Sequence, residues 1–78
     1  METTLDKVIS SQTVIITRIN AGKSLGNRLA NMGLHIGDSL QIIRSGQFGG
    51  PIIILINNAE IAIGRGIAKK IVVSLKTK

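Results

Sequence analysis

The apolar positions of the chain fall into short runs that favour β-strands. Five runs are dense in β-branched residues or alternate apolar with polar positions, at residues 13–19, 40–44, 52–56, 60–63 and 71–75. In the second run Leu40 and Ile42 share one face, while the third run is wholly apolar. Residues 1–11 show no clear period. A parallel sheet needs a crossover of about a dozen or more residues between each pair of strands, and most of these connections are shorter, so the pattern predicts an antiparallel sheet of about five strands.

One stretch has helical spacing instead. Apolar residues recur at i, i+4 and i+7, which places them on one helical face: Leu25, Leu29 and Met32. We expect a helix over residues 24–32, with Ser24 capping its first turn. Gly33 is expected to end it in the left-handed conformation, and Leu34 to fold back on the last turn.

The connections complete the prediction of fold class. Asn57-Asn58 suits a tight hairpin, residues 64–69 read as a short irregular turn, and the Gly-rich connection at 45–51 is expected to be mobile. The result is a mostly β protein, a small and partly closed antiparallel barrel with one short helix after the first strand. We expect a single domain over residues 1–78, with the barrel itself at about 5–75.

The amino-acid composition predicts the kind of core, the cellular compartment and the charge of the partners. Fifteen Ile and four Val stand against seven Leu, and the aromatic content is 1%, so the core must be aliphatic. The chain has no Cys, no signal-like N-terminus and no apolar run near the roughly 20 residues of a spanning helix. These features predict a cytoplasmic protein. The net charge of +6 favours acidic partners, such as nucleic acid, an anionic membrane or an acidic protein face, or simply maintains solubility.

Several motifs in order resemble the FeoA family of ferrous iron transport proteins. They run from the segment 28–34, Arg-Leu-Ala-Asn-Met-Gly-Leu, through Gly37-Asp38 and the Gly-Pro-Ile segment at 50–52, to residues 60–65 and 67–73. The resemblance covers about Leu5 to Val73. It departs from the family pattern at three places, namely Ser10-Ser11, Ile36 and Asn58.

The resemblance implies a cytoplasmic SH3-like barrel. It also implies association with the membrane ferrous iron transporter FeoB, whose cytoplasmic part carries a GTP-binding domain. The same barrel resembles the C-terminal domain of metal-dependent repressors of the diphtheria toxin repressor type, but no DNA-binding helix-turn-helix is attached in this chain.

Residue chemistry argues against an enzyme and against a bound cofactor. The candidate metal ligands outside the N-terminal segment are His35, Asp38 and Glu60, too few for a convergent site, so no metal site is predicted. A single His without a nucleophile motif does not make a triad. The Gly-rich connection lacks the Lys-Ser or Lys-Thr of a phosphate loop, so we expect no GTP binding.

The predicted function is therefore binding, through a surface made by Arg44, Phe48, Arg65, Lys69 and Lys70. An aromatic ring in a mobile loop beside cations is typical of a protein contact. Two alternatives remain open: Phe48 folds over the barrel mouth, and the cations form only a solvated face. A nucleic-acid-binding or repressor-associated module is the alternative function, opposed by the shortage of aromatic rings on which bases stack.

Overall fold

The computed structural model describes residues 2–9, 11–45 and 49–76. In these ranges the elements, in chain order, are strand β1 (Glu2–Thr4), a 3-10 turn (Leu5–Lys7), strand β2 (Thr13–Ile19), helix α1 (Lys23–Asn31), strand β3 (Ser39–Ser45), strand β4 (Ile52–Ile56), strand β5 (Ala59–Ile63), helix α2 (Arg65–Ala68) and strand β6 (Ile71–Leu75).

The strands form one antiparallel sheet in the order β1-β6-β2-β3-β4-β5. The predicted mostly β, antiparallel fold is confirmed, with six strands where about five were expected. The additional strand is β1, which has only three residues and therefore leaves no period in the sequence. It pairs with β6 over Glu2 to Thr4, so that the chain's first described segment completes the sheet.

The inner face of the sheet holds an entirely aliphatic core, as the composition predicted. Alternate residues of the central strands have essentially no exposed area: Val14 and Ile16 of β2, Leu40 and Ile42 of β3, Ile52, Ile54 and Ile56 of β4. Leu5 and Val8, from the segment without a period, are also buried in this core. No buried residue of the described ranges is polar.

Helix α1 is shifted and less buried than the sequence predicted. Its N-cap is Gly22, and no side chain caps the first turn, so the capping role expected of Ser24 is wrong. Leu29 is buried and Leu25 is half-buried, but Met32 is 39% exposed. The helix ends at Asn31, one residue earlier than the predicted end, and Met32 is its C-cap.

The end of α1 follows the prediction closely. Gly33 has a φ of +92°, the left-handed conformation. Its N–H donates to Ala30 O at 2.9 Å, and the Leu34 N–H donates to Leu29 O at 2.9 Å. This pair of hydrogen bonds is the Schellman motif. Leu34 is buried in the same core cluster as Leu29, so the end of the helix also fixes where the chain leaves toward β3.

Two connections bracket β5. Asn57 and Asn58 have φ values of 51° and 65°, which gives the predicted two-residue hairpin between β4 and β5. Residues 65–68, expected as an irregular turn, form the short helix α2. Its Ala68 is buried, and this small side chain lets the helix approach the core closely.

Candidate partner-binding surface

A β-bulge in β2 turns Arg18 to the outer face of the sheet. Strict alternation would place Arg18 on the buried face with Val14 and Ile16. The register shifts between Ile16 and Arg18, so Arg18 lies opposite Val72 of β6 and is exposed. The extra residue is Thr17, whose Oγ1 donates to Val72 O at 3.3 Å. Bulges of this kind redirect side chains toward functional surfaces.

A second bulge has the same effect on Arg44. In β3, Leu40 and Ile42 are buried, and regular alternation would bury Arg44 as well. The register shifts between Ile42 and Arg44, which places Arg44 opposite Ile53 on the outer face, where it is exposed. The prediction that Arg44 is available to a partner is therefore compatible with its position.

Arg65 is tied into the fold. It is the first residue of α2 and is half-buried. Its Nη1 donates to Asp6 O and its Nη2 donates to Ser45 Oγ, both at 3.4 Å. These contacts join α2 to the 3-10 turn and to the end of β3. Arg65 is thus held against the fold, next to the end of β3 that carries Arg44.

Lys69 and Lys70 lie at the C-terminal end of α2, and both are exposed. Lys69 N donates to Arg65 O at 3.0 Å, so it stands one helical turn from Arg65. Lys70 O accepts a hydrogen bond of 2.7 Å from Asn20 N, which places it beside the end of β2. Lys69 therefore lies on the same helix as Arg65, which contacts Ser45 beside Arg44, while Lys70 lies beside the end of β2. Phe48 lies outside the described residues.

Sequence reasoning missed a depression on the outer face of β1, β6 and β2. It has a volume of about 390 Å³ and is lined by Glu2, Thr3, Thr4, Lys7, Arg18, Asn20 and Val72. The sequence gives little sign of it, because β1 has no period and the bulge at Thr17 reverses the expected side of Arg18.

The candidate metal ligands do not converge. His35 N donates to Asp38 Oδ2 at 2.9 Å, and His35 Nδ1 lies 3.4 Å from the same oxygen, in an exposed turn. Glu60 is exposed on β5. Within residues 2–9, 11–45 and 49–76, no three His, Cys, Asp or Glu side chains are grouped closely enough to hold a metal ion. In the same ranges no helix is long and apolar enough to span a membrane.

These features define a small β-barrel whose outer face carries exposed cations. The FeoA domain model matches residues 3–75. An Fe(2+) transport protein A, provisionally so named, from Methanocaldococcus jannaschii is 45% identical over 62 residues, which are 80% of this chain and 73% of the relative. The chain belongs to the FeoA family, which serves Fe(2+) transport.

Solved structures agree with this assignment. The crystal structure of an iron uptake regulatory protein (FeoA) superposes with a TM-score of 0.88 at 30% identity, covering 97% of this chain and 99% of the other. Iron(II) transport protein A from Clostridium thermocellum gives 0.88 at 25% identity, covering 94% and 45%. A manganese-dependent transcriptional repressor gives 0.88 at 22% identity, covering 96% and 42%, which shows a shared fold only. The SH3-like barrel is confirmed.

Proposed function

We propose that this chain is a cytoplasmic accessory protein of ferrous iron uptake, which binds the cytoplasmic GTP-binding part of the transporter FeoB. The observation that carries the proposal is the family match over residues 3–75 together with the 45% identity to an Fe(2+) transport protein A. A chain of 78 residues without a metal-ligand cluster in its described part supports transport better by contact than by carrying iron.

The contact is assigned to the predicted surface, with Arg44, Lys69 and Lys70 as the exposed cations that meet the partner. Arg65 supports the surface from behind through its contacts with Asp6 and Ser45. Phe48 belongs to the proposal as the apolar anchor, since aromatic residues contribute strongly at protein interfaces. Charge complementarity would set the rate and orientation of docking more than its final affinity.

The test is a titration of the isotopically labelled chain with the cytoplasmic part of FeoB at physiological salt, in each nucleotide state. We expect localised, saturable amide shifts around Arg44 and Lys69. Arg44→Glu/Lys70→Glu and Phe48→Ala should each weaken binding. Lys23→Glu/Arg28→Glu is the matched control, because both residues are exposed on α1 and the change in net charge is the same.

A flat titration in every nucleotide state would contradict the proposal. Equal weakening by the control and by Arg44→Glu/Lys70→Glu would mean that binding depends on the net charge of the protein and not on this surface. Binding to oligonucleotides that falls steeply with added salt would instead support the nucleic-acid alternative.

A further inference from the structure

The depression on the outer face of β1, β6 and β2 is built by strand register. Thr4 of β1 lies opposite Val72 of β6, and Val72 lies opposite Arg18 of β2. These three residues therefore form one row across three strands, with their side chains on the same face. Arg18 joins this row only because of the bulge at Thr17. The register thus places a cation beside an outward-facing aliphatic side chain.

Val72 is the floor of the depression. It is only 5% exposed, yet it is not part of the cluster that forms the hydrophobic core. Regular alternation predicts it on the outer face of β6, opposite the inward Ile71 and Val73. It therefore leaves little apolar surface at the floor, and recognition falls to the polar and charged residues that line the depression. A covered aliphatic floor with a polar rim is the usual construction of a ligand site.

The rim selects for a carboxylate. Arg18 carries a planar guanidinium group that can bind a carboxylate with two hydrogen bonds, and Lys7 adds a second cation. The Asn20 side chain offers amide donors. The hydroxyl of Thr4 already donates to Asp6 Oδ1 at 2.5 Å, so it acts toward a ligand as an acceptor.

The rim also limits the size and charge of the ligand. A volume of about 390 Å³ exceeds that of a single small anion and lies in the range of about 300–1,000 Å³ common for ligand pockets. Glu2 shares the face of Thr4 and would repel a continuous polyanion such as nucleic acid or an anionic membrane. A short peptide with one carboxylate meets less repulsion from Glu2 than a polyanion does, because it carries a single negative charge.

We propose that this depression binds a short acidic peptide segment of a partner protein, whose carboxylate contacts Arg18 and Lys7 on the rim. The site shares no residue with the surface of Arg44, Phe48, Arg65, Lys69 and Lys70. It therefore does not depend on binding to FeoB, and either proposal can fail without the other.

The test uses the full chain, labelled with ¹⁵N, and the blocked peptide acetyl-Leu-Glu-Leu-amide. We expect saturable amide shifts at Thr4, Arg18 and Val72. The peptide with Gln in place of Glu should bind at least about tenfold more weakly, because the charged hydrogen bonds are lost. Arg18→Gln should weaken binding of the acidic peptide by a similar factor, and Arg18→Lys by less.

Arg28→Gln is the matched control, since Arg28 is an exposed cation on α1, outside the depression. It should leave the affinity within about twofold. The amide spectrum of Arg18→Gln away from the depression reports whether the fold is intact, and Lys7→Gln provides a second variant on the rim. Equal affinity for the Gln peptide, equal weakening by Arg28→Gln, or shifts confined to other faces would overturn the proposal. So would tighter binding of inorganic phosphate or of an oligonucleotide at the same amides.

Discussion

Gly33 occupies a backbone conformation that L residues avoid. Its φ is +92°, and its N–H and that of Leu34 close the end of α1. No atom outside its immediate neighbours lies within 4 Å of the position a Cβ would take, so the cost of a side chain here is conformational and not steric. Gly33→Ala should therefore lower the free energy of unfolding by about 1–2 kcal/mol, measured by urea denaturation.

Gly26 provides a matched control for that substitution. It lies inside α1, where a Cβ would also meet nothing within 4 Å, but its φ is not positive. Gly26→Ala should raise the free energy of unfolding by about 0.5–1 kcal/mol, because Ala loses less backbone freedom in a helix. Loss of stability in both variants would mean that volume matters at these positions, contrary to our interpretation.

The sequence shows residue types better than it shows which side of a strand they occupy. Leu40 and Ile42 were correctly predicted on one face. Arg18 and Arg44 could not be placed, because each follows a bulge formed at a β-branched residue, Thr17 or Ile43, and not at a Gly that would signal one. A bulge depends on pairing with the neighbouring strand, which short-range patterns do not contain.

At the scale of elements, the hairpin between β4 and β5 is a two-residue loop, since Ile56 pairs with Ala59. Both loop residues have positive φ, as a type I′ turn requires, and Gly is favoured at the second position. Asn58→Gly should therefore raise the free energy of unfolding by up to about 1 kcal/mol, and Asn58→Ala should lower it by about the same amount. Thermal unfolding measures both, at roughly 4–8 °C per kcal/mol for a domain of this size.

Asn27→Ala is the control for Asn58→Ala. It separates the effect of the turn conformation from the effect of removing an Asn side chain. Asn27 is exposed on α1, where Ala is the better helix former, so this substitution should stabilise the protein slightly. If Asn58→Ala were also stabilising, the loop would not depend on the tolerance of Asn for positive φ.

Long periodic elements were predicted well and short ones were missed. The bounds of β2, β4 and β6 agree with the sequence pattern, because each is at least five residues long and has four or more aliphatic residues. Strand β1 and helix α2, with three and four residues, are held by their neighbours: β1 by pairing with β6, and α2 by burial of Ala68 and the contacts of Arg65. Tertiary contacts of this kind leave no local signal.

At the scale of the whole molecule, fold and function have to be kept apart. The barrel superposes on FeoA structures and on manganese-dependent repressors with the same TM-score of 0.88, although the repressor domain is less than half of its chain. The fold alone therefore does not choose between transport and transcription. The family match over residues 3–75 favours transport over transcription, and the proposed partner surface rests on that match and not on the shape of the barrel.

The net positive charge of the molecule should make its stability increase with salt concentration. Ten Lys and Arg face four Asp and Glu, so most cations repel one another without a carboxylate to pair with. The radius of gyration is 11.2 Å, smaller than the screening length of about 30 Å at 0.01 M salt and larger than that of about 3 Å at 1 M. Raising NaCl from about 0.02 to 0.5 M should therefore increase the melting temperature by a few degrees.

Lys69→Glu/Lys70→Glu distinguishes this screening from a general effect of salt on apolar burial. Each substitution lowers the charge by two units, so the double variant carries +2 in place of +6. Both residues are exposed, and the aliphatic core is unchanged. The variant should be more stable than the parent at low salt and should gain less from added NaCl. An equal gain in both proteins would assign the effect to apolar burial, and a melting temperature that falls with salt would show that attractive ion pairs dominate over repulsion.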